Sequence, residues 1–403
     1  MKERNKKIIN IDININKFNI KNSKSQSAME TLMTSGWTML IIALVFAALI
    51  FFGIFNLEKY LPDKVDITEK TMLIIPSGSN RFLVKNVGGS TFYDLWFNFT
   101  SKNCLQTSSY TIKPDDIIEY IILCKDMPEG IERFKSQFIA HYKTKKTGII
   151  LNQSAIGNYY VTGNYFSAEN LVGYWNMDKI YTTATEPYVA DVSWNNNTAV
   201  ISRKNRNPNG PRINTPTITK GRLNNGLIFA KFDELNISDN NGDFDFGTGS
   251  GKEMSISIWF KNTPDSTLNP NVVTPIIVKS GGLTSKYTDY SISNASGRLT
   301  FETGSNADSC ASINEQIPMS NGWHHIVGII KSNGETTGQK ELYLDGLLLK
   351  NCSYTHKAYS NNNPLKISTS GGSSYYDGTI DEVMIFKRAL RPNEVTALYE
   401  SGW

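Results

Sequence analysis

The N-terminal region contains a long apolar stretch without interruption. No charged residue occurs between Glu30 and Glu58. At 1.5 Å per residue, a helix of this length would cross roughly 30 Å of hydrocarbon. Apolar residues cover every face of such a helix, so it cannot be half-buried on a water-soluble domain. The pattern predicts a transmembrane or assembly helix over residues 26–61, ended by Leu61-Pro62.

The rest of the chain shows the alternation typical of strands. Between residues 66 and 166, short β-type runs are separated by Gly- and Pro-containing turns, which predicts a small antiparallel β-sandwich. Beyond residue 169 the alternation continues, for example at Ile256, Ile258 and Phe260. This second region predicts two stacked antiparallel sheets. The fold class expected is therefore mainly β, with one long hydrophobic α-helix at the N-terminus.

The start of the apolar stretch, Ser25-Gln26-Ser27-Ala28-Met29-Glu30, resembles the class III signal peptide of archaeal type IV pilins. The resemblance implies that a prepilin peptidase cuts between Ser25 and Gln26 and removes residues 1–25 as a basic leader. It also implies that Glu30 pairs with the free amine of Gln26 on a neighbouring pilin subunit. Ser25 departs from the usual Gly of the family. The alternative for Glu30 is a first-turn glutamate stabilised by the helix dipole.

Residues 66–166 resemble pilin headgroups more loosely, in the turn Asn86-Val87-Gly88-Gly89 and in a cysteine pair.

The charge distribution agrees with a surface location. The chain of 403 residues has a net charge of +4, but seven basic and two acidic residues give the leader +5, which leaves −1 for the rest. A basic leader is typical of a cytoplasmic flank, so everything after the helix is expected outside the membrane. The near-neutral remainder gives no reason to expect nucleic-acid binding.

The four cysteines form no C-x-x-C motif and are even in number, which suits disulfides in an oxidising exterior. Four cysteines allow three connectivities. The pairs Cys104–Cys124 and Cys310–Cys352 are favoured because each stays within one predicted domain.

The C-terminal region, residues 169–403, contains a series of recognisable segments. They include Leu171-Val172-Gly173-Tyr174-Trp175, Gly322-Trp323-His324-His325 and Gly378-Thr379-Ile380-Asp381-Glu382. In this order they resemble a laminin-G-like module of the concanavalin A jelly-roll superfamily. The resemblance implies a jelly roll that binds glycans or surface partners.

Asp178, Asp191 and Asp381 match positions where laminin-G-like and related jelly rolls often place a structural Ca²⁺. Carboxylate oxygens are the ligands that calcium prefers. The alternative is that these side chains cap turns by accepting hydrogen bonds from backbone amides.

Three aromatic residues, Trp194, Tyr375 and Tyr376, are candidates for stacking on a sugar ring. Trp194 stands where the family loop usually has Gly. The alternative for these residues is a lid that covers the edge of a sheet.

Catalysis is not expected from this sequence. A glucanase of this superfamily needs two carboxylates aimed into one cleft. No Glu-x-Asp-x-Glu arrangement occurs, and Asp381 and Glu382 are neighbours, which in a regular strand face opposite sides.

The sequence thus predicts a pilin-like cell-surface subunit that is anchored in the membrane before assembly and extracellular afterwards. Its jelly roll would mediate adhesion to glycans or another surface ligand. A membrane-anchored surface binder that never polymerises is the first alternative, and a carbohydrate-active enzyme is the second.

Overall fold

The chain divides into two units, Met1–Leu61 and Pro62–Trp403, which are described separately. The computed structural model describes residues 33–47, 62–100, 103–105, 109–128, 131–183, 186–201, 215–230, 233–239, 241–245, 252–263, 273–279, 288–295, 298–304, 310–311, 322–334, 337–354, 363–369 and 375–402.

In the first unit, residues 33–47 form a helix, α1, whose side chains are all exposed. The helix predicted over residues 26–61 extends beyond α1 on both sides, and those flanks lie outside the described residues, as do Ser25, Gln26 and Glu30. In the part of the chain that the structure describes, no helix has both the length and the apolarity needed for a bilayer crossing. The pilin-type signal peptide and the membrane anchor remain predictions.

The second unit begins with ten strands that form three antiparallel sheets. Their bounds are β1 (Lys64–Ile67), β2 (Met72–Gly78), β3 (Arg81–Asn86), β4 (Phe92–Phe99), β5 (Cys104–Leu105), β6 (Tyr110–Ile112), β7 (Ile117–Ile121), β8 (Leu123–Cys124), β9 (Ile131–Lys146) and β10 (Ile149–Asn164). The sheet orders are β1-β10-β9-β4-β6, β2-β3-β7 and β5-β8.

An aromatic core joins the five-stranded and three-stranded sheets. Phe82, from β3, packs edge-on against Phe97 of β4, with ring centroids 4.9 Å apart. It also stacks on Tyr120 of β7 at 5.3 Å. Along β3 the buried residues, Phe82 among them, alternate with half-buried ones, which is the period-two pattern that the sequence shows.

Strands β9 and β10 form a long hairpin with sixteen paired positions. Its turn, Thr147-Gly148, has φ angles of 50° and 85°, as a tight two-residue hairpin turn requires. Gly148 adopts this conformation without the steric cost of a Cβ. The turn end of the hairpin, residues 143–154, contains no buried residue, in contrast to the flanking Tyr142 and Ala155, and we call it the hairpin arm.

The remaining seventeen strands and a terminal helix follow. Their bounds are β11 (Leu171–Trp175), β12 (Tyr181–Thr182), β13 (Pro187–Val189), β14 (Ala199–Ile201), β15 (Thr217–Lys220), β16 (Asn225–Phe229), β17 (Leu235–Ile237), β18 (Glu253–Asn262), β19 (Val273–Lys279), β20 (Thr288–Ala295), β21 (Arg298–Gly304), β22 (Cys310–Ala311), β23 (His324–Ser332), β24 (Gly338–Leu344), β25 (Leu347–Tyr354), β26 (Leu365–Ile367), β27 (Gly378–Phe386) and α2 (Pro392–Ser401).

Two large antiparallel sheets are built from these strands. One has the order β15-β16-β27-β18-β23-β24-β25, with β11 also paired to β27, and the other has the order β12-β13-β14-β17-β26-β19-β20-β21-β22. Their facing side chains share one apolar core, which includes Trp175, Ile256, Ile258 and Phe301. The predicted mainly β fold with two stacked sheets is confirmed.

A further apolar cluster connects the two groups of sheets. Ile121 and Leu123 from the first group pack with Tyr174, Met384 and other residues of the second group. The described strands before and after the segment 165–170 do not share a sheet. Contacts nevertheless place Pro62–Trp403 in one unit, so the division at residues 66–166 and 169–403 remains a prediction.

Candidate functional site

A polar cleft of about 210 Å³ lies where the two groups of sheets meet. The side chains around it come from distant parts of the chain and carry both charges. They include Lys125, Asp126, Glu169, Arg388, Arg391 and Asn393. A cleft of this size is smaller than the roughly 300–1,000 Å³ of pockets for drug-sized ligands, so it suits one ring-sized group.

The Lys125 side of the cleft is held by a disulfide. Cys104 and Cys124 are bonded, with χ3 of 94°, as predicted from the sequence. The Lys125 amide donates a hydrogen bond to the Asn103 carbonyl, and the Ala168 amide donates to the Cys124 carbonyl. Cys352 is also disulfide-bonded; the side chain of Cys310, its predicted partner, lies outside the described residues.

Trp194 lies beside this wall, on a loop organised by Asp191. The Asp191 carboxylate accepts hydrogen bonds from the amides of Tyr174 (2.9 Å), Ser193 (2.8 Å) and Asn197 (2.7 Å). It also accepts one from the Ser193 hydroxyl, at 2.8 Å. These bonds fix the loop in a tight turn and leave the Trp194 side chain pointing outward, 36% exposed.

A cation–π contact joins Trp194 to the cleft. The Lys125 Nζ lies 4.5 Å from the centroid of the Trp194 ring. An exposed indole beside mixed charges can stack on the apolar face of a sugar, while neighbouring side chains bond its hydroxyl groups. Both donors and acceptors are present in the cleft lining, as a hydroxyl-rich ligand requires.

The floor of the cleft is an ion pair between Arg388 and Glu394. Two bonds of 2.7 Å join the guanidinium to the carboxylate. Arg388 also donates to the carbonyls of Ser167 and Glu169, at 2.7 and 3.0 Å. Burial raises the pKa of Glu394, but the hydrogen bonds and charge of Arg388 outweigh it, so the net pKa is lowered. The pair therefore clamps the connecting segment to the start of α2.

A second acidic group lies buried at the same junction, away from solvent. The Asp381 Oδ2 accepts bonds from the amides of Arg222 (2.7 Å) and Leu223 (3.2 Å). The Glu382 Oε2 accepts a bond of 2.5 Å from the Tyr174 hydroxyl. Burial is the main cause that raises the pKa values of Asp381 and Glu382. The charge of Asp178 raises the pKa of Asp381 further, and the charges of Asp381 and Asp178 raise that of Glu382.

The expectation that Asp381 and Glu382 face opposite sides is wrong. A β-bulge interrupts the pairing of β27 with β18 at this point. Trp259 pairs with Asp381, but Ser257, two residues earlier, pairs with Met384, which is three residues later. Glu382 has a φ of 49°, so the strict alternation of a regular strand fails here. Both carboxylates are fully buried, which leaves neither one open to a substrate.

The three candidate calcium ligands are surrounded by donors. Asp178 Oδ1 accepts a bond from the Asn225 amide at 3.0 Å, and its Oδ2 accepts one from the Asn176 side chain at 2.8 Å. Asp191 and Asp381 also accept backbone amides, as described above. Within the described residues, no three His, Cys, Asp or Glu side chains are grouped to hold a metal. This environment favours turn capping, and the Ca²⁺ site remains a prediction.

Tyr375 and Tyr376, the other two residues predicted to stack on a sugar, are less exposed than Trp194. Tyr376 is 1% exposed, donates a hydrogen bond of 3.1 Å to Asn262, and packs near Phe260. Its ring is not accessible for stacking on a sugar. Tyr375 is half-buried and forms an isolated bridge with Thr369.

The sequence indicated Trp194, which lies beside the cleft, but not the residues that line it. Lys125, Glu169 and Arg391 belong to no motif, and they come together only because the two groups of sheets pack against each other. The closest available signal was the Arg388-Ala389-Leu390 segment that follows β27.

Residues 233–396 match the family Laminin_G_3, the concanavalin A-like lectin/glucanases superfamily. The matched residues, 233–396, form a laminin-G/concanavalin A-like domain within the C-terminal region. No curated protein matches the chain.

Several solved structures are similar to part of this chain. Domain 4 of AbnA, a GH43 extracellular arabinanase from Geobacillus stearothermophilus in complex with arabinotriose, is 16% identical, with a TM-score of 0.42, over 57% of this chain and 98% of that one. The binding domain of Paraclostridial Mosquitocidal Protein 1 is 17% identical, with a TM-score of 0.41, over 57% of this chain and 52% of that one. The receptor-binding domain of botulinum neurotoxin D is 13% identical, with a TM-score of 0.39, over 57% and 52%. The match spans about half the length of the two toxin domains.

Proposed function

We propose that the laminin-G-like domain binds a saccharide at the cell surface, with Trp194 as the stacking platform and the polar cleft beside it as the hydroxyl-binding part. The observation that carries this proposal is the exposed indole, held by the Asp191 turn and adjoined by Lys125 at 4.5 Å. The match to a superfamily that includes lectins supports it.

The cleft chemistry favours a neutral or weakly charged sugar. Arg388 and Glu394 neutralise each other, and Lys125 and Arg391 are balanced by Asp126 and Glu169 in the same lining. A strongly anionic polysaccharide would meet two nearby carboxylates, so its binding would gain little from the two cations.

A glycan array with the full chain in detergent micelles tests this function. We expect Trp194→Ala to weaken binding at least tenfold, because it removes the only exposed stacking ring described at the cleft. Tyr93→Ala is the matched control, since Tyr93 is 38% exposed but lies on β4. Equal losses in both variants, or none in Trp194→Ala, would contradict the proposal.

The same array separates binding from catalysis. A binding module leaves each glycan intact, whereas a carbohydrate-active enzyme shortens it with time. Because the described acidic pair Asp381–Glu382 is buried, we expect bound glycans to be recovered unchanged by mass spectrometry.

We further propose that the N-terminal helix anchors the protein in the membrane or in a filament of the type IV pilin kind. The exposed apolar side chains of α1, such as Leu40, Ile41 and Leu44, support this role because they need an apolar partner. N-terminal sequencing of the mature protein tests it. A chain that begins at Gln26 supports assembly after peptidase cleavage, and an intact leader supports a lone membrane anchor.

A further inference from the structure

Strand β10 has an edge without a neighbour along the hairpin arm. Its inner edge pairs with β9 over the full length. On its outer edge, β1 pairs only with Gly157–Tyr160, and Thr68 bonds to Ile156. Among the described residues, no strand pairs with residues 149–155 on that side. The backbone amides and carbonyls of this edge are available to another strand.

The side chains of this edge do not block pairing. Residues 149–155 contain no charge, no proline and no glycine. Ile149 and Ile150 are 62% and 64% exposed, and Leu151 is 39% exposed. Soluble proteins usually protect such edges with charged residues, proline or bulges. Residues rich in Ile and Leu, by contrast, favour strand pairing.

We propose that the outer edge of β10 pairs antiparallel with the same edge of a second copy of this chain. A two-fold axis through the middle of residues 149–155 would place Asn152 opposite its counterpart and make the contact self-complementary. The two hairpin arms would then form a continuous four-stranded ribbon.

The charges of the arm fit a second copy. Lys145 and Lys146 lie on β9, the inner strand, directly across from Ile150 and Ile149. In the ribbon, the two β9 strands would be separated by three strand spacings, roughly 14 Å. This exceeds the Debye length of about 8 Å at physiological salt, so the lysines of the two copies would hardly repel each other.

A lipid surface is the other possible occupant, because the arm combines lysines with exposed isoleucines. Inserted into lipid, however, the free backbone groups of the β10 edge would lose water without gaining hydrogen-bond partners. Pairing with a second strand satisfies them. The edge contributes only the seven residues 149–155, against roughly 20–30 residues a side in a stable interface, so the pair is expected to be weak and a covalent trap is the suitable way to detect it.

Disulfide trapping of the full chain in detergent micelles tests the geometry. Residues directly opposite in an antiparallel pair have Cα atoms about 4.5–5.5 Å apart, which suits a disulfide. We expect Asn152→Cys to give a covalent dimer under mild oxidation. Lys145→Cys is the matched control, because residue 145 is also exposed but lies on β9, too far from its counterpart to bond.

A charge placed on the edge provides the second variant. Adding Ile150→Lys to Asn152→Cys should lower the yield of covalent dimer at least fivefold, since a lysine on each β10 edge opposes strand pairing. Adding Ile117→Lys, at a position 57% exposed on β7, should leave the yield unchanged. Both positions are exposed, so neither variant is expected to unfold the protein.

Three results would overturn the proposal. They are a Lys145→Cys dimer as abundant as the Asn152→Cys dimer, an Asn152→Cys yield that Ile150→Lys does not change, and the absence of any Asn152→Cys dimer. In the last case, a fluorophore attached to the Asn152→Cys variant tests for lipid. A blue shift of its emission when anionic vesicles are added would show that the arm contacts lipid instead.

Discussion

Asp178 is expected to make stability fall as pH rises. The residue is almost fully buried at the junction, and burial raises its pKa to about 7, although hydrogen bonds from Asn225 and Tyr110 act in the opposite direction. In the unfolded chain the same carboxyl would titrate near 3.8. Between these values the unfolded state loses the proton and the folded state keeps it. Rising pH therefore favours unfolding in this window.

The size of the effect follows from the shift. A rise from 3.8 to about 7 is roughly three pKa units, and each unit corresponds to about 1.4 kcal/mol. The free energy of unfolding should thus fall by about 4 kcal/mol between pH 4 and pH 7 through this one group. Asp178→Asn removes the titration. In this variant an NH₂ group replaces the Oδ2 that accepts the hydrogen bond from the Tyr110 hydroxyl. The loss of that bond adds a cost that does not depend on pH.

The measurement is denaturant unfolding of the full chain in detergent from pH 4 to pH 8. We expect the difference in unfolding free energy between Asp178→Asn and the original protein to change by about 4 kcal/mol in favour of the variant as pH rises. Asp115→Asn is the control, because the Asp115 side chain is 88% exposed. Parallel pH profiles for Asp178→Asn and the original protein would refute the reasoning.

Three other predictions concern side chains that hold the fold. Lys279→Met should lower the free energy of unfolding by about 3–5 kcal/mol, because it leaves the buried Asp239 unpaired; thermal unfolding measures it, and a neutral effect would contradict it. Cys104→Ser should cost about 3 kcal/mol and also weaken glycan binding, since the disulfide holds Lys125; unchanged binding would contradict the second part. Arg388→Lys should weaken binding and stability together, because lysine cannot bond the Glu394 carboxylate at two points; calorimetry with a bound glycan checks both.

The sheets could be predicted from the sequence because alternation is a local property. The inward positions Ile256 and Ile258 are both fully buried in the jelly-roll core. The Cys104–Cys124 pair was also predictable, since both cysteines lie within one region of short strands. Local pattern and tertiary contact agree at these positions.

The cleft could not be predicted, because it depends on how two groups of sheets pack. Lys125 and Trp194 contact each other across this junction, and no periodicity links them. The rule of alternation also failed at Glu382, where a bulge changes the direction of the side chain. Asp191 had the residue type of a calcium ligand, but its backbone donors could be seen only in three dimensions.

The clamp formed by Arg388 has a mechanical consequence. It fastens the segment between β10 and β11 by bonds to Ser167 and Glu169, while Arg81 bonds the Glu400 carbonyl near the end of α2. The segment between β10 and β11 therefore cannot act as a flexible linker between the two groups of sheets. Force applied to the jelly-roll strands would therefore reach the strands that hold the aromatic core through bonded contacts, and not through a free linker.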